Sequence, residues 1–121
     1  MPHIILHTNR AREKPEEIKQ FFRELHLLLH HTAGIKLEHC KSRLLPVTGH
    51  LIGDGQTDQN FAHLEIRLLE GRPAEIKQKL GEQVLALLKK YFSSEENRHI
   101  QLSVELIDMQ KSNYHKFPPL A

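Results

Sequence analysis

Apolar residues recur along this chain at two alternating spacings. A spacing of two is typical of half-buried strands and predicts four of them: Pro2 to about Thr8, about His39 to Val47, Phe61 to Leu69, and about His99 to Asp108. A spacing of three and four is typical of amphipathic helices and predicts one helix after the first strand and another after the third. The predicted order is therefore strand, helix, strand, repeated once.

Each predicted helix carries a start signal and one apolar stripe. Pro15 opens the first helix at a position that proline favours, and Gly34 stops it after about His31. A turn at Gly71-Arg72-Pro73 leads into the second helix. The apolar positions of the two stripes are Ile18, Phe21, Phe22, Leu25, Leu28 and Leu29, and then Ile76, Leu80, Val84, Leu87, Leu88 and Tyr91.

The predicted strands have two unlike faces. In the first strand, Ile4 and Leu6 lie on one face, and His3, Ile5 and His7 lie on the other. The third and fourth strands alternate in the same way, and their predicted inward residues are Ala62, Leu64, Ile66, Leu68, Ile100, Leu102, Val104 and Leu106.

The two halves of the chain also have a short stretch of matching sequence. PEEIKQ at residues 15–20 matches PAEIKQ at residues 73–78 in five of six positions, and the shift from position 15 to position 73 is 58 residues. The same shift places Leu44 on Leu102, which joins the two second strands. The sequence thus predicts an internal duplication within one α+β domain. Its halves lie at about 2–50 and 60–109, and the tail 110–121 is expected to be an arm or a loose end.

The composition is ordinary for a soluble globular protein, with 39% hydrophobic and 26% charged residues. A chain of 121 residues buries only part of its surface alone, which is consistent with an oligomer. The net charge of +2 and the aromatic content of 6% argue against nucleic acid or a membrane surface as a partner.

Cys40 is the only cysteine, which excludes an intrachain disulfide and fits a reducing compartment. It is predicted to be a small buried residue and not a nucleophile. No apolar run approaches the roughly 20 residues of a spanning helix. The first apolar stretch is short and has no charged region before it, so we expect no signal peptide and a cytoplasmic protein.

Pro2 is the first candidate for chemistry. Inside a chain, the proline nitrogen is a tertiary amide with neither a proton nor basicity. Removal of Met1 would make it a secondary amine, and an α-amino group titrates near neutrality, at about 7.7–8.0. The first strand would hold this amine on a rigid element, where it can serve as a base. In most proteins that begin Met-Pro the proline does nothing chemical, and retention of Met1 would block it.

Three basic residues are predicted to converge on the sheet edge where Pro2 lies. Lys41 and Arg43 share one face near the start of the second strand, which in a right-handed βαβ unit is parallel to the first. Pro46 indicates that this strand is irregular or lies at an edge. Arg72 follows the third strand, and antiparallel packing of the halves would return it towards Pro2. Such cations lower the pKa of an amine and hold an anionic substrate, although each alone is more often a surface charge.

Several short segments together resemble the 5-carboxymethyl-2-hydroxymuconate isomerase family. They are Pro2, Lys41-Ser42-Arg43, Asp54-Gly55-Gln56, Phe61-Ala62-His63 and Gly71-Arg72. The resemblance spans nearly the whole chain in order and spacing, and the DGQ-x-D segment followed by F-x-H is its most specific part. This family belongs to the tautomerase superfamily, together with 4-oxalocrotonate tautomerase and macrophage migration inhibitory factor.

The resemblance implies a four-stranded mixed sheet with two helices on one face, and a homotrimer whose sheets face a central axis. It also implies an isomerase in which Pro2 shuttles a proton and Arg72 binds a substrate carboxylate. The family pattern in the second strand is arginine-serine-arginine, and Lys41 stands at its first position. Lysine keeps the charge but not the bidentate fork of arginine. The implied site is Pro2, Lys41 and Arg72 as catalytic residues, with Arg43 binding substrate.

Three readings of the function remain open. The first is an isomerase that needs no cofactor and ketonises a 2-hydroxymuconate-type dienol, a di- or tricarboxylate of aromatic catabolism. The second is a trimeric binding protein of the same fold with vestigial activity, or a relative that uses the proline for decarboxylation or dehalogenation. The third is a metal site at His26, His30 and His31, which include an i, i+4 pair. No acid or cysteine completes that set locally, so we expect exposed helix histidines and no metal.

Overall fold

A computed structural model describes residues 1–10, 15–55, 59–93 and 99–119, which form a sheet and two helices. The strands are β1 (His3–Thr8), β2 (Lys41–Pro46), β3 (Asn60–Leu69) and β4 (Ile100–Met109), and the helices are α1 (Pro15–Ala33) and α2 (Ala74–Phe92). Single 3₁₀ turns span Leu37–His39 and Lys111–Asn113. None of the described helices combines the length and apolar character needed to cross a membrane.

The four strands lie in the order β2-β1-β3-β4. β1 is parallel to β2 and β3 is parallel to β4, whereas β1 and β3 are antiparallel. Each parallel pair is joined through one helix, because parallel neighbours require a crossover connection. The prediction of a duplicated β-α-β unit within a mixed four-stranded sheet is therefore confirmed.

The register of the two inner strands brings distant parts of the chain to one edge. His3 at the start of β1 lies opposite Lys41 of β2 and opposite Arg67 near the end of β3. Because β1 and β3 run in opposite directions, the segment that follows β3 returns to the start of β1. The predicted return of Arg72 to that edge rests on this pairing.

The core lies between the apolar face of the sheet and the helices. Both stripes predicted from the sequence supply it, and the fully buried helix residues are Phe21, Leu25, Leu29, Leu80, Val84 and Leu88. The sheet supplies Ile4, Leu6, Ala62, Leu64, Ile66 and Leu68. Phe92 was not predicted, and it is buried at the end of α2 with its ring edge on Phe21 at a centroid distance of 6.2 Å.

The opposite face of the sheet is mostly polar, although Ile5 also lies on it. His7 Nε2 lies 3.8 Å from a carboxylate oxygen of Glu65, and His63 Nε2 lies 3.5 Å from one of Glu105. The Nδ1 atom of His63 lies 2.6 Å from the hydroxyl of Ser103. This face therefore carries cross-strand polar pairs in place of a second apolar layer.

The observed boundaries differ from the predicted ones by one or two residues. β2 begins at Lys41, two residues later than predicted, because a 3₁₀ turn at residues 37–39 precedes it. α1 continues to Ala33, and the next residue is Gly34, whose φ of 68° is readily available to glycine. Pro46 closes the edge strand β2, where a missing N–H costs no interior ladder bond.

The residues that follow β4 form an arm across the start of β1. The backbone N–H of Lys111 donates to the Glu70 carboxylate at 2.7 Å, and this bond fastens the 3₁₀ turn to the end of β3. Further along, the hydroxyl oxygen of Tyr114 lies 2.9 Å from His3 Nε2. The tail was expected to be either an arm or a loose end, and as far as Tyr114 it is an arm.

Leu25→Ala is expected to destabilise the protein by about 2–5 kcal/mol, because it leaves a cavity at a fully buried position between α1 and the sheet. Leu27→Ala on the same helix is the matched control, since Leu27 is 46% exposed and its loss should cost about 0.5 kcal/mol or less. Urea denaturation at one fixed protein concentration measures both. Equal losses would contradict the assigned faces of α1.

Candidate active site

The amino end of the chain lies where β1 and β2 start. Pro2 is buried, and its carbonyl oxygen accepts a hydrogen bond from the backbone N–H of Lys41 at 3.1 Å. This bond continues the parallel pairing of β1 and β2 by one step beyond the strand itself. The backbone at Pro2 is thus held by the sheet, and Lys41 is its direct neighbour.

The segment after β3 reaches the same place from the other side. The backbone N–H of Leu69 donates to the sulfur of Met1 at 3.3 Å. Arg72 Nη1 donates to the carbonyl oxygen of Leu69 at 3.4 Å. Met1 and Arg72 therefore share one neighbour, and Arg72 lies at the sheet edge to which the topology assigned it.

The terminal amine, which here belongs to Met1, lies in a partly desolvated and positively charged environment. Burial lowers its pKa most, followed by a hydrogen bond from Lys41, the charge of Lys41 and the charge of Lys116. Together they lower the pKa from 8.0 to about 5. Each effect disfavours the ammonium form, so the amine is a free base at neutral pH.

A cleft of about 590 Å³ opens beside the start of β1 and β2. It is lined by His3, Glu38, His39 and Lys41, and by Tyr114, His115, Lys116, Phe117 and Pro118 of the arm. Lys41 Nζ donates to the carbonyl oxygen of His39 at 3.1 Å, within this wall. The two ammonium groups outnumber the one carboxylate among the described residues of this lining, that of Glu38, and the excess of positive charge favours an anionic ligand.

The four residues predicted for the site occupy different places around this cleft. Lys41 lines it directly. Arg43 reaches its wall through His3, since Arg43 Nη2 donates to His3 Nδ1 at 2.6 Å. Pro2 and Arg72 lie at the same sheet edge, but neither belongs to the described residues that line the cleft.

Of the described residues that line the cleft, only Lys41 was predicted as a site residue, and His3, Tyr114 and Lys116 are among those that were not. The pairing of His3 with Lys41 follows from the parallel strands, so alternation in β1 and β2 carried a usable signal for His3. Tyr114 and Lys116 belong to the arm after β4, whose path depends on non-local packing. No periodic pattern in the sequence marks such a path.

Other candidate side chains are engaged elsewhere in the fold. The His26 ring lies 2.7 Å from the hydroxyl of Ser42, and His30 Nδ1 donates to the carbonyl oxygen of Ile35 at 2.8 Å. These bonds tie two of the three histidines of α1 to different partners. Cys40 is buried as predicted, and burial raises the pKa of its thiol.

A different group of side chains comes close enough together to contact one cation. Ligand atoms of His63, Glu65 and Glu105 lie within 4.8 Å of one another on the polar face of the sheet. His63 pairs with Glu105, and Glu65 lies 3.7 Å from Arg67 Nε as well as near His7. Contacts with histidines across the strands, together with the ion pair of Glu65 and Arg67 within β3, account for this group.

The DGQ-x-D segment, which belongs to the most specific part of the resemblance, lies only partly within the described residues. Gln56 and Asp58 lie outside the described residues. Before them, the backbone N–H of Gly55 donates to the carbonyl oxygen of Ile52 at 3.0 Å and closes a turn. Gly53 and Gly55 have φ values of 59° and 76°, which explains the glycines of this loop.

Solved structures of other proteins share this architecture. A crystal structure of a 5-carboxymethyl-2-hydroxymuconate isomerase from Deinococcus radiodurans R1 matches with a TM-score of 0.83 at 23% identity, over 95% of this chain and 87% of that one. A fused wild-type 4-OT, solved as a symmetric trimer, matches with a TM-score of 0.78 at 17% identity, over 99% of this chain and 95% of that one. The fold is that of the tautomerase superfamily.

The sequence itself gives the narrower assignment. The profile of the 5-carboxymethyl-2-hydroxymuconate isomerase family matches residues 2–120. The 5-carboxymethyl-2-hydroxymuconate Delta-isomerase of Escherichia coli is 26% identical over 122 residues, which cover 95% of this chain and 97% of that protein. This chain therefore belongs to the 5-carboxymethyl-2-hydroxymuconate isomerase family and is an isomerase.

Lys41→Gln is expected to raise the pKa of the terminal amine from about 5 towards 8.0, because a hydrogen bond and a charge that disfavour the ammonium are removed. Only the unprotonated amine is acylated, so wild-type labelling should persist at pH 6 and fall as the pH drops through about 5. Labelling of the variant should fall at a higher pH.

Mass spectrometry of the N-terminal peptide, in protein that retains Met1, follows this acylation. Lys19→Gln makes the same charge change on the exposed side of α1 and is the control, with an unshifted profile expected. A Lys41→Gln profile that coincides with the wild type would contradict the role of Lys41 beside the amine.

Proposed function

We propose that this isomerase is a cofactor-independent tautomerase that ketonises a 2-hydroxymuconate-type dienol carboxylate. Pro2, freed by removal of Met1, is the proton shuttle. The observation that carries the proposal is the environment of the terminal amine of Met1, one residue before Pro2, which is partly desolvated and feels the positive charges of Lys41 and Lys116, two residues that line the cleft. The substrate class is taken from the name of the E. coli relative.

The chemistry of the base follows from its surroundings. Once Met1 is removed, the nitrogen of Pro2 is the terminal amine. Pro2 is buried, and its carbonyl oxygen accepts a hydrogen bond from the backbone N–H of Lys41. Burial and neighbouring cations lower the pKa of an amine, because both disfavour its charged form. A secondary amine with a pKa below neutrality is free to accept a proton at pH 7.

The reaction moves one proton and changes no oxidation state. The amine of Pro2 takes the proton of the 2-hydroxyl group, and the electrons of that O–H bond form the 2-keto group. The double bonds shift along the chain, and a diene carbon takes a proton from the ammonium of Pro2. The amine is regenerated, and neither an oxidant nor a co-reactant is needed.

Positively charged side chains have two roles in this mechanism. Lys41, Arg43 and Arg72 are proposed to hold substrate carboxylates and to stabilise the charge of the dienolate. Arg72 offers a planar fork that matches a carboxylate, whereas Lys41 offers a flexible point charge. We therefore assign carboxylate orientation chiefly to Arg72 and charge near the base chiefly to Lys41.

The assembly is proposed to be a homotrimer, as in the fused 4-OT neighbour. β2 is an edge strand and carries Leu45, which is 45% exposed, so a neighbouring chain would cover both. The polar pairs on the sheet face suit a hydrated centre. We place the enzyme in the cytoplasm and in the catabolism of aromatic compounds, with a di- or tricarboxylate as substrate.

Pro2→Ala is expected to lower kcat for ketonisation by at least about 10²-fold, since general acid–base catalysis contributes about 10²–10⁴-fold. The alanine variant keeps a primary amine, so some activity should remain. Loss of the dienol absorbance in the ultraviolet measures the rate. Pro15→Ala, at the start of α1, is the matched control and should keep the wild-type rate.

Intact mass is determined on the same samples. Full activity in protein whose mass includes Met1 would refute the proline base, as would an undiminished rate in Pro2→Ala. A wild-type protein that binds dicarboxylates without turning over the dienol would instead favour a binding protein of this fold.

Arg72→Ala is expected to lower kcat/KM by about 10- to 100-fold, mostly through a higher KM, because a charged hydrogen-bond donor to the substrate carboxylate is lost. Arg72→Lys should recover part of the loss. Steady-state kinetics with the dienol measure it, and Arg23→Ala on the exposed side of α1 is the control. A kcat/KM in Arg72→Ala equal to that of Arg23→Ala would remove Arg72 from the site.

A further inference from the structure

A chain of three hydrogen-bonded side chains runs along the wall of the cleft. Arg43 Nη2 donates to His3 Nδ1 at 2.6 Å, and His3 Nε2 lies 2.9 Å from the hydroxyl oxygen of Tyr114. The three residues come from β2, from β1 and from the arm after β4. The proton transfer proposed above uses neither His3 nor Tyr114.

Arg43 determines which atom donates and which accepts in each of these hydrogen bonds. A guanidinium group has five N–H donors and no acceptor. His3 Nδ1 must therefore accept from Arg43 and carries no proton, so the neutral ring holds its proton on Nε2. Nε2 then donates to the oxygen of Tyr114, and the hydrogen of the Tyr114 hydroxyl group must point to another acceptor.

The environment of His3 keeps its ring neutral. Burial lowers the pKa of His3 most, followed by the charge of Arg43, and the charges of Lys41 and Arg67 act in the same direction. At neutral pH the ring therefore holds a single proton, as the hydrogen bond from Arg43 requires. The rings of His3 and Tyr114 pack edge to face, with a centroid distance of 5.9 Å and an interplanar angle of 66°, so that the positive edge of one ring meets the negative face of the other.

Tyr114 lines the cleft together with His3, Lys41 and Lys116. The hydrogen of its hydroxyl group is not used in the bond to His3. A hydroxyl group that already accepts a hydrogen bond is polarised and becomes a better donor. The cleft thus offers two ammonium groups and one oriented neutral donor. Ammonium groups suit carboxylates, and a neutral donor suits an oxygen that gains charge only during the reaction.

We propose that Tyr114 donates a hydrogen bond to the oxygen on carbon 2 of the bound dienol and stabilises it as the dienolate forms. Arg43 and His3 are positioning residues that orient the hydroxyl group of Tyr114. This inference rests on the proposed function and refines it, because Arg43 acts here through His3 and not by direct contact with a carboxylate.

A pair of ligands separates recognition of the oxygen from recognition of the carboxylates. 2-Oxoadipate and adipate carry the same two carboxylates and differ by the oxygen on carbon 2. Calorimetry on protein without Met1 should show tighter binding of 2-oxoadipate by about three- to tenfold, the range of one neutral hydrogen bond. Tyr114→Phe should abolish this preference and leave the Kd for adipate within about twofold of the wild type.

Tyr91→Phe is the matched control, because the hydroxyl group of Tyr91 is bonded to Glu24 on the helix layer and not to the cleft. It should keep the wild-type preference. If neither ligand binds to the wild type, the proposed carboxylate site fails, and this inference fails with it. If both bind and Tyr114→Phe retains the preference, the inference about Tyr114 is overturned and the proposed function stands.

Kinetics test the positioning role of His3. Tyr114→Phe should lower kcat by about 10²-fold with little change in KM, as expected for a donor used in the transition state. His3→Gln places an amide N–H near the position of Nε2, so its kcat should exceed that of His3→Leu by about tenfold. Equal rates in two folded His3 variants would overturn the role of His3. Should His3→Leu fail to fold, an unchanged kcat in Tyr114→Phe remains decisive against the proposal.

Discussion

The antiparallel pairing of β1 with β3 determines where the chemistry of this protein lies. The pairing runs from His3 opposite Arg67 to Thr8 opposite Ala62 and joins the two β-α-β units through their first strands. Within each unit the strands must be parallel, because a helix connects them. The starts of β1 and β2 and the end of β3 therefore meet at one edge of the sheet, although they are far apart in sequence.

The same sheet links the core to the cleft through side-chain alternation. Ile4 and Leu6 are fully buried beneath the helices, and this burial fixes the register of β1. His3 is thereby held on the other face, opposite Lys41 and within reach of Arg43. A slip of one residue would turn His3 into the core and break its bonds to Arg43 and Tyr114. Packing on one face therefore sets the geometry of polar groups on the other.

This division explains how much the sequence could predict. Elements with one buried face leave a periodic signal, so the helices and strands were predicted to within two residues. Topology alone then placed Arg72 and Lys41 at the edge where the chain starts. The arm carrying Tyr114 and Lys116 leaves no such signal, because its position depends on single long-range contacts such as the bond from Lys111 to Glu70.

An arginine at position 41 could both lower the pKa of the amine and orient a carboxylate, whereas Lys41 is suited only to the first of these roles. Lowering the pKa of the amine requires a nearby positive charge and little directional precision, so the ammonium of Lys41 suffices. Orienting a carboxylate requires a planar pair of donors, which lysine lacks. In the proposed mechanism that second duty passes to Arg72, while Lys116 of the arm adds charge beside both the amine and the cleft. In that mechanism, docking of the arm on β1 is a condition for recognising the substrate.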